Sequence, residues 1–324
     1  MKVLFIASGN KNGELGKVVK NQFDSLSNFV ALDYYLIKGH GYKGYLKNVL
    51  PLIKTIRSRK IDVIHSHYSL SAFVTTLSLI FNSKKIPHIV SLMGSDALLS
   101  KWNKFLVQIF HKYFWSKTLV KSNRMKYDLE LDSIEIIPNG VDLEKINKLK
   151  NNLNNIKNGK TILFAADPSR ESKNYTLTEQ AFNLIDDNEI ELKVVYNVSH
   201  EVILSAILNC SVLILTSKWE GSPNIIKEAM ACNCPVVSTN VGDVEWLFGD
   251  EPGHFLTSFE SNDVAEKIKL ALNFVEEKGR TNGRERIVEL GLDSETVARR
   301  IVKVYEQSLE SKGSGAARSY EQRT

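Results

Sequence analysis

Short apolar runs recur along the first half of the chain, each followed by a polar or glycine-bearing turn and then by a longer stretch with helical spacing. The runs are KVLFIA (Lys2 to Ala7), FVALDYYLI (Phe29 to Ile37), IDVIHSH (Ile61 to His67), PHIVSLMGSD (Pro87 to Asp96), KTLV and Ser133 to Ile137. Between them the spacing predicts helices ending near Leu26, over Gly44 to Arg59, over Leu70 to Phe81 and over Lys101 to Tyr113. Strands that alternate with helices argue for a parallel sheet wrapped by those helices.

The rhythm stops at KINKLKNNLNNIKNGK, Lys145 to Lys160, which is rich in Asn and Lys, poor in large apolar groups, and reads as a linker. It restarts with TILFAAD (Thr161 to Asp167), a helix near Tyr175 to Asp186, the strand ELKVVY, and a helix near Glu201 to Leu208. VLILT (Val212 to Thr216), a short helix, PVVST (Pro235 to Thr239) and a short strand around Gly253 to Leu256 follow, and three helical segments close the chain. The fold class is therefore α/β, two doubly wound Rossmann-like domains facing a cleft. The expected boundaries are 1–150 for the first domain, 151–160 for the linker and 161–293 for the second domain. A long helix then runs from Ser294 to Ser311, and a tail at 312–324, without apolar period, is expected to be disordered. Ligands of such sheets bind beyond the carboxyl ends of the strands.

Composition sharpens this reading. At 324 residues, 43% hydrophobic and 24% charged, the chain is long enough for two cores and has the make-up of a soluble globular protein. No run approaches the ~20 apolar residues of a membrane helix. The opening MKVLFIASGNKNG is a short strand without a small-residue cleavage site, which predicts a cytoplasmic chain. Residues 1–156 carry 23 Lys and Arg against 11 Asp and Glu, whereas the remainder is acidic. A basic first half points to an anionic partner there.

Cys210, Cys232 and Cys234 lack the spacing of a zinc site, and no His follows at a suitable distance. They read as small core residues in a reducing compartment, and neither a metal nor a cofactor is expected.

The stretch with the most chemistry is Ser217 to Asp243, SKWEGSPNIIKEAMACNCPVVSTNVGD. It leaves one strand, forms a short helix and ends at the next strand. Pro223 suits the helix's first turn, and Gly221, Ser222 and Asn224 let the backbone approach a ligand with outward N–H groups. Such a helix start attracts phosphate or sugar oxygens. Glu220 and Glu228 flank the turn and read as two contacts on one polyhydroxylated ligand. The other reading open here is a Glu that helps the helix dipole and a surface Glu on an amphipathic helix.

In the first half, Gly9, Gly13 and Gly16 do not form the dinucleotide fingerprint, and Asp33 falls inside a strand, so a nicotinamide cofactor is disfavoured. His65 and His67 alternate onto one side of a strand, but no third metal ligand is near.

Glu220, seven intervening residues, Glu228, then AMACNCPVV and a Gly-Asp turn resemble the signature of the family-4 retaining glycosyltransferases of the GT-B fold. The resemblance covers nearly the whole chain and is strongest from Ala166 to Asp243. It implies that Glu220 sits by the donor sugar, that the amides from Gly221 through Ser222, Pro223, Asn224 and Ile225 hold its hydroxyls, and that Glu228 accepts from the nucleotide ribose. In ADPSRESKN, Lys173 matches the family's phosphate-binding Lys, while the Arg slot holds Pro168 and Arg170 is displaced by two residues. Gly13, and less closely Gly16, match a glycine loop that closes over the donor phosphate.

His67 matches a His that lines the cleft between the domains; the other reading open for His65 and His67 is a plain structural role. Met93-Gly94-Ser95-Asp96 departs from the family's His-Gly-x-Asp; Met93 replaces the His beside the transferred sugar, and Asp96 keeps its place. The loop with Tyr196 and Val198 corresponds to the one lying against the nucleotide base. The last helix is expected to cross back onto the first domain.

Together these imply transfer of a sugar from a UDP- or GDP-sugar to a glycan hydroxyl with retention, without metal, in bacterial cell-surface polysaccharide synthesis with a lipid-linked acceptor. Helices around GYKGYLKNVLPLIKTIRSRK and KWNKFLVQIFHKYFWSK interleave Lys and Arg with aromatic residues. This suits peripheral attachment to an anionic membrane surface, here the inner face of the plasma membrane. The other reading is two amphipathic core helices with solvated basic faces. Nucleic acid fits poorly, since no nucleic-acid module accompanies the charge. The rival functions are a GT-B sugar-nucleotide epimerase and a non-enzymatic sugar-binding protein.

Overall fold

The computed structural model describes residues 1–10, 13–82, 84–94, 100–152 and 160–321, with the backbone alone for 312–321. The chain forms two compact units, Met1–Gly140 with Ser294–Thr324, and Val141–Asp293.

In the first unit six parallel strands lie in the order β2-β1-β3-β4-β5-β6. They are β1 (Lys2–Ser8), β2 (Ala31–Ile37), β3 (Val63–His67), β4 (His88–Ser91), β5 (Lys117–Val120) and β6 (Glu135–Ile136). Helices cover both faces, as the alternating pattern predicts. The helix Ser69–Ile80 is buried along most of its length, which explains why its sequence is apolar all round rather than striped.

β3 is polar in sequence yet wholly buried. Two of its polar side chains, His65 and Ser66, find partners inside: His65 Nδ1 meets the Tyr305 hydroxyl at 2.6 Å and Nε2 the Ser91 hydroxyl at 2.8 Å. Ser66 Oγ donates to Thr75 Oγ1 at 2.9 Å and meets His88 Nε2 at 2.8 Å. Burial holds the rings of His65, His67 and His88 below the ordinary range, so they sit neutral in the core. His67, expected to line a cleft, is instead fully enclosed, its ring 4.6 Å from Phe5 and 4.3 Å from His65.

The basic stretch expected as one helix is two, Gly41–Leu46 and Val49–Ser58. Asn48 causes the break. Its buried amide donates to Lys38 O at 2.9 Å and to Gly44 O at 3.0 Å, so the chain turns around it. Gly44 also packs on Gly39 so closely that a Cβ would lie 2.7 Å from the Gly39 carbonyl carbon.

The helix beginning at Ser294 belongs to this unit. Val297, Ala298, Ile301, Val304 and Tyr305 share a core with Val3 and Phe5. Its backbone continues to Glu321, past the Ser311 end set by the loss of apolar period.

The second unit carries five parallel strands in the order β11-β10-β9-β7-β8. These are β7 (Lys160–Phe164), β8 (Ile190–Val194), β9 (Val212–Leu215), β10 (Val236–Thr239) and β11 (His254–Thr257). The first unit's limit falls at Gly140, ahead of the expected residue 150, because much of the expected linker is the helix Leu143–Asn152. Asp142 Oδ1 accepts from the Lys145 N–H at 2.8 Å, a cap at the helix start. Leu143, Ile146 and Leu149 recur every three residues and pack on this unit's core. Residues 153–159 of the expected linker lie outside the described residues.

Candidate functional site

In the second unit β7 and β9 are neighbours in the sheet, while the strand between them in sequence, β8, lies on the far side of β7. The order therefore reverses at β7 and β9, and the loops at their carboxyl ends frame a ligand crevice. From β7 the chain passes through Ala165–Arg170 into a 3-10 turn, Glu171–Lys173, and then Asn174 in the left-handed region. From β9 it passes through Thr216 to Pro223, and the helix Asn224–Ala231 follows.

These two loops are tied together. Thr216 Oγ1 donates to the carbonyls of Lys173 and Asn174 at 3.2 and 3.0 Å, and the Lys218 N–H donates to Ser172 O at 2.9 Å. Lys173 Nζ reaches Glu220 Oε1 at 2.5 Å, and Ser217 Oγ donates to the same oxygen at 2.9 Å. A third loop backs them. Gly242 takes φ +64°, and a Cβ there would stand 2.7 Å from Gly221 O. Only glycine combines that conformation with that approach.

Pro223 occupies the position just before the helix rather than inside its first turn, with φ −71° and ψ 112°. Pro223, at the cap position, makes no side-chain hydrogen bond to the first-turn amides. The first-turn amides and the helix dipole thus make an anion-attracting end beside Glu220 and Lys173. Gly221 and Pro223 are buried, and Ser222, Asn224 and Ile225 are partly so. One turn on, Glu228 Oε1 meets His200 Nε2 at 2.9 Å, both side chains being at most 17% exposed.

Beneath this surface lies Lys227, fully buried. Burial lowers its ammonium to about 8, against the pull of Asp243 and Glu228. Burial likewise raises Asp243 to about 6, opposed by Lys227. The two charges act on each other from the helix and the Gly242 turn.

Of the residues singled out in the sequence, Lys173 and Glu220 are in contact, and Gly221 to Ile225 and Glu228 follow on the same turn and helix. Arg170 opens the 3-10 turn but is exposed. Among the described residues it makes no salt bridge, and its charge is felt at Asp167. Tyr196 is exposed, and Val198 leans on the core.

In the first unit Gly13 takes φ +67° with open space around it, whereas Gly16, at φ −59°, has no need to be glycine. Met93 is partly buried against the core shared by Phe5. Asp96 lies outside the described residues. Among the described residues no group of three or more His, Cys, Asp or Glu side chains is placed to hold a metal ion.

His200, Lys227, Gly242 and Asp243 escaped notice as site residues. A Lys at a core position of an amphipathic helix was a readable signal for Lys227. The pairing of His200 with Glu228 joins two helices and has no local signature.

The chain matches the family described as glycosyl transferases group 1 over residues 146–286 and that described as glycosyltransferase family 4 over residues 12–145. An uncharacterized glycosyltransferase of Methanocaldococcus jannaschii is 30% identical over 258 residues, 71% of each chain. The UDP-Gal:alpha-D-GlcNAc-diphosphoundecaprenol alpha-1,3-galactosyltransferase of Escherichia coli is 25% identical over 72% of this chain and 71% of its own. Among solved structures, HepE from Anabaena in complex with UDP and glucose has a TM-score of 0.73 at 16% identity, covering 95% of this chain and 100% of that one. That likeness concerns the fold.

Proposed function

Because the chain belongs to the family-4 glycosyltransferases of GT-B type, we propose that it transfers a sugar from a nucleotide-diphospho-sugar to a glycan hydroxyl with retention at the anomeric carbon. The observation that carries this reading is the joined pair of loops at the β7/β9 switch point. There Lys173 is fixed to Glu220 just ahead of the helix start at Asn224, with Glu228 on the same helix.

In this reading the donor's diphosphate takes the Lys173 ammonium, the Arg170 guanidinium and the amides of the Asn224–Ala231 helix start. Each charge-assisted hydrogen bond contributes roughly 1.5–3 kcal/mol. Lys173, drawn to phosphate, releases Glu220, whose carboxylate then accepts from the sugar hydroxyls. Glu228 accepts from the ribose. As the bond to the sugar breaks, negative charge grows on the departing phosphate, and fixed cations and amides stabilise it most at that moment. The reaction needs no metal when these groups carry the charge. The departing phosphate takes the proton of the attacking hydroxyl.

The acceptor we propose is a lipid-linked glycan of cell-surface polysaccharide synthesis. Support comes from the undecaprenol-linked substrate in the name of the E. coli relative and from a putative teichuronic acid biosynthesis glycosyltransferase of Bacillus subtilis, 22% identical over 67% of this chain and 63% of that protein. No helix among the described residues is long and apolar enough to cross a membrane. The helix Lys101–Tyr113 instead exposes Trp102 (75%) and Phe105 (50%), rings 6.2 Å apart, amid Lys101 and Lys112. Aromatic rings beside lysines suit the headgroup region of an anionic bilayer.

The test is incubation with UDP- and GDP-sugars and undecaprenyl-diphosphate-linked acceptors in the presence of EDTA, with the product's anomeric configuration read by proton NMR. Transfer with an inverted product, or altered sugar nucleotide released from donor alone, overturns the proposal.

A further inference from the structure

His200 opens the helix His200–Asn209, which follows β8 and is capped by Ser199. Its Nε2 lies 2.9 Å from Glu228 Oε1. A carboxylate only accepts, so the hydrogen sits on Nε2, and in the neutral ring Nδ1 is left as a bare acceptor. That Nδ1 is buried, and among the described residues it has no partner. A buried acceptor without a partner costs free energy comparable to a lost hydrogen bond, so its persistence calls for a ligand that fills it. The ring also fixes Glu228 by one oxygen, leaving Oε2 for a second donor. Two acceptors are thus left beside the place where the reading above puts the nucleoside: Glu228 Oε2, and His200 Nδ1 on the side of the ring away from Glu228.

We propose that His200 is a nucleoside-binding and positioning residue: it holds Glu228 through Nε2 and accepts one hydrogen bond from the nucleoside through Nδ1. This rests on the assignment of Glu228 to the ribose. The donor is an O–H of the ribose or an N–H of the base; both present the same chemistry to the ring. The arrangement favours nucleosides over bare phosphates, because neither acceptor welcomes an anion.

The test compares wild type, His200→Gln and His200→Leu by calorimetric titration with UDP, GDP and inorganic pyrophosphate, continuing with whichever nucleotide the wild type binds. Gln keeps an N–H for Glu228 but carries its acceptor oxygen away from the Nδ1 position, whereas Leu lacks both groups. His200→Leu is expected to weaken nucleotide binding about 30-fold or more and His200→Gln about 3- to 10-fold, with pyrophosphate binding and melting temperature unchanged. The 2′-deoxynucleotide separates the sources. If His200→Gln, which keeps the hold on Glu228, removes the penalty for the missing 2′-hydroxyl, the ring accepts from that hydroxyl; if the penalty stays, it accepts from the 3′-hydroxyl or the base.

Nucleotide affinities equal to wild type in both variants overturn the proposal. So does an equal loss for nucleotide and pyrophosphate, which marks a merely structural residue. Glu228→Ala is the separate control. If it binds nucleotide like wild type, or if the wild type binds neither nucleotide, the reading of the site itself fails, and this proposal with it.

Discussion

Lys173 Nζ and Glu220 Oε1 meet at 2.5 Å although they leave different strands, and neither side chain is more than 18% exposed. The cation best placed for phosphate is therefore already neutralised, by the carboxylate best placed for sugar. Binding a donor exchanges one partner for another rather than filling a vacant charge.

Removing either side of this arrangement should cost activity far more than fold. For Lys173→Ala we expect kcat/KM to fall about 10²–10³. For Glu228→Ala nucleotide binding should weaken by roughly 1.5–3 kcal/mol. Steady-state kinetics, calorimetry and circular dichroism check both. Near-normal turnover in the two variants together would falsify the site.

Gly242→Ala should act on the same site from behind. The new methyl meets Gly221 O at 2.7 Å and the backbone stays at φ +64°, so either the turn or the donor loop must move. A loss of about 1–3 kcal/mol in stability is expected, with nucleotide binding reduced in the folded fraction. Chemical denaturation and titration measure the two separately.

The buried pair Lys227 and Asp243 should leave a trace in stability against pH. Asp243 is raised to about 6 in the fold, so its contribution is greatest at acid pH and is lost as pH climbs through 6. Lys227 is lowered to about 8, so its contribution is present above the ordinary lysine range and is lost as pH falls through 8. Wild type minus Lys227→Met/Asp243→Asn should therefore show a trough between about pH 6 and 8, a few kcal/mol deep. Asp243→Asn alone should destabilise the fold at pH 7, since Lys227 then keeps only Glu228 as a counter-charge. Urea titrations from pH 4 to 10 give the curve, and a flat difference would remove the pair from the account.

Trp102→Ser/Phe105→Ser should abolish flotation with anionic liposomes while leaving transfer to a short soluble acceptor within about twofold. The wild type should float at low salt and sediment at high salt, since the screening length falls from about 30 Å at 0.01 M to about 3 Å at 1 M. A wild type that stays in the dense fractions at low salt ends the membrane proposal.

How far the sequence carried depended on whether a feature was local. The parallel strands and the Glu220-to-Glu228 helix lie within single short stretches, and both were readable. The break at Asn48 was not, because its amide bonds back to Lys38 O, whose approach only the folded chain determines. The helix Leu143–Asn152 was hidden by its Asn and Lys content, though Asp142 as cap and Leu143, Ile146 and Leu149 at three-residue spacing were there to be seen. His67 misled for a related reason. The resemblance offered a cleft position beside a plain structural one, and only the core around Phe5 shows that the ring is packed as an aromatic.

The Tyr305 hydroxyl on the His65 ring has a consequence for synthesis. Residues from the far end of the chain complete the core that β1 and β3 begin, whereas Val141–Asp293 is one continuous stretch. During translation the second unit has all it needs while the first still waits. Val3 and Phe5 have Val19, Phe23 and Leu26 beside them early but lack the rest of their cover until Val297 to Tyr305 leave the ribosome, so part of the N-terminal sheet's apolar surface stays open to a chaperone until then.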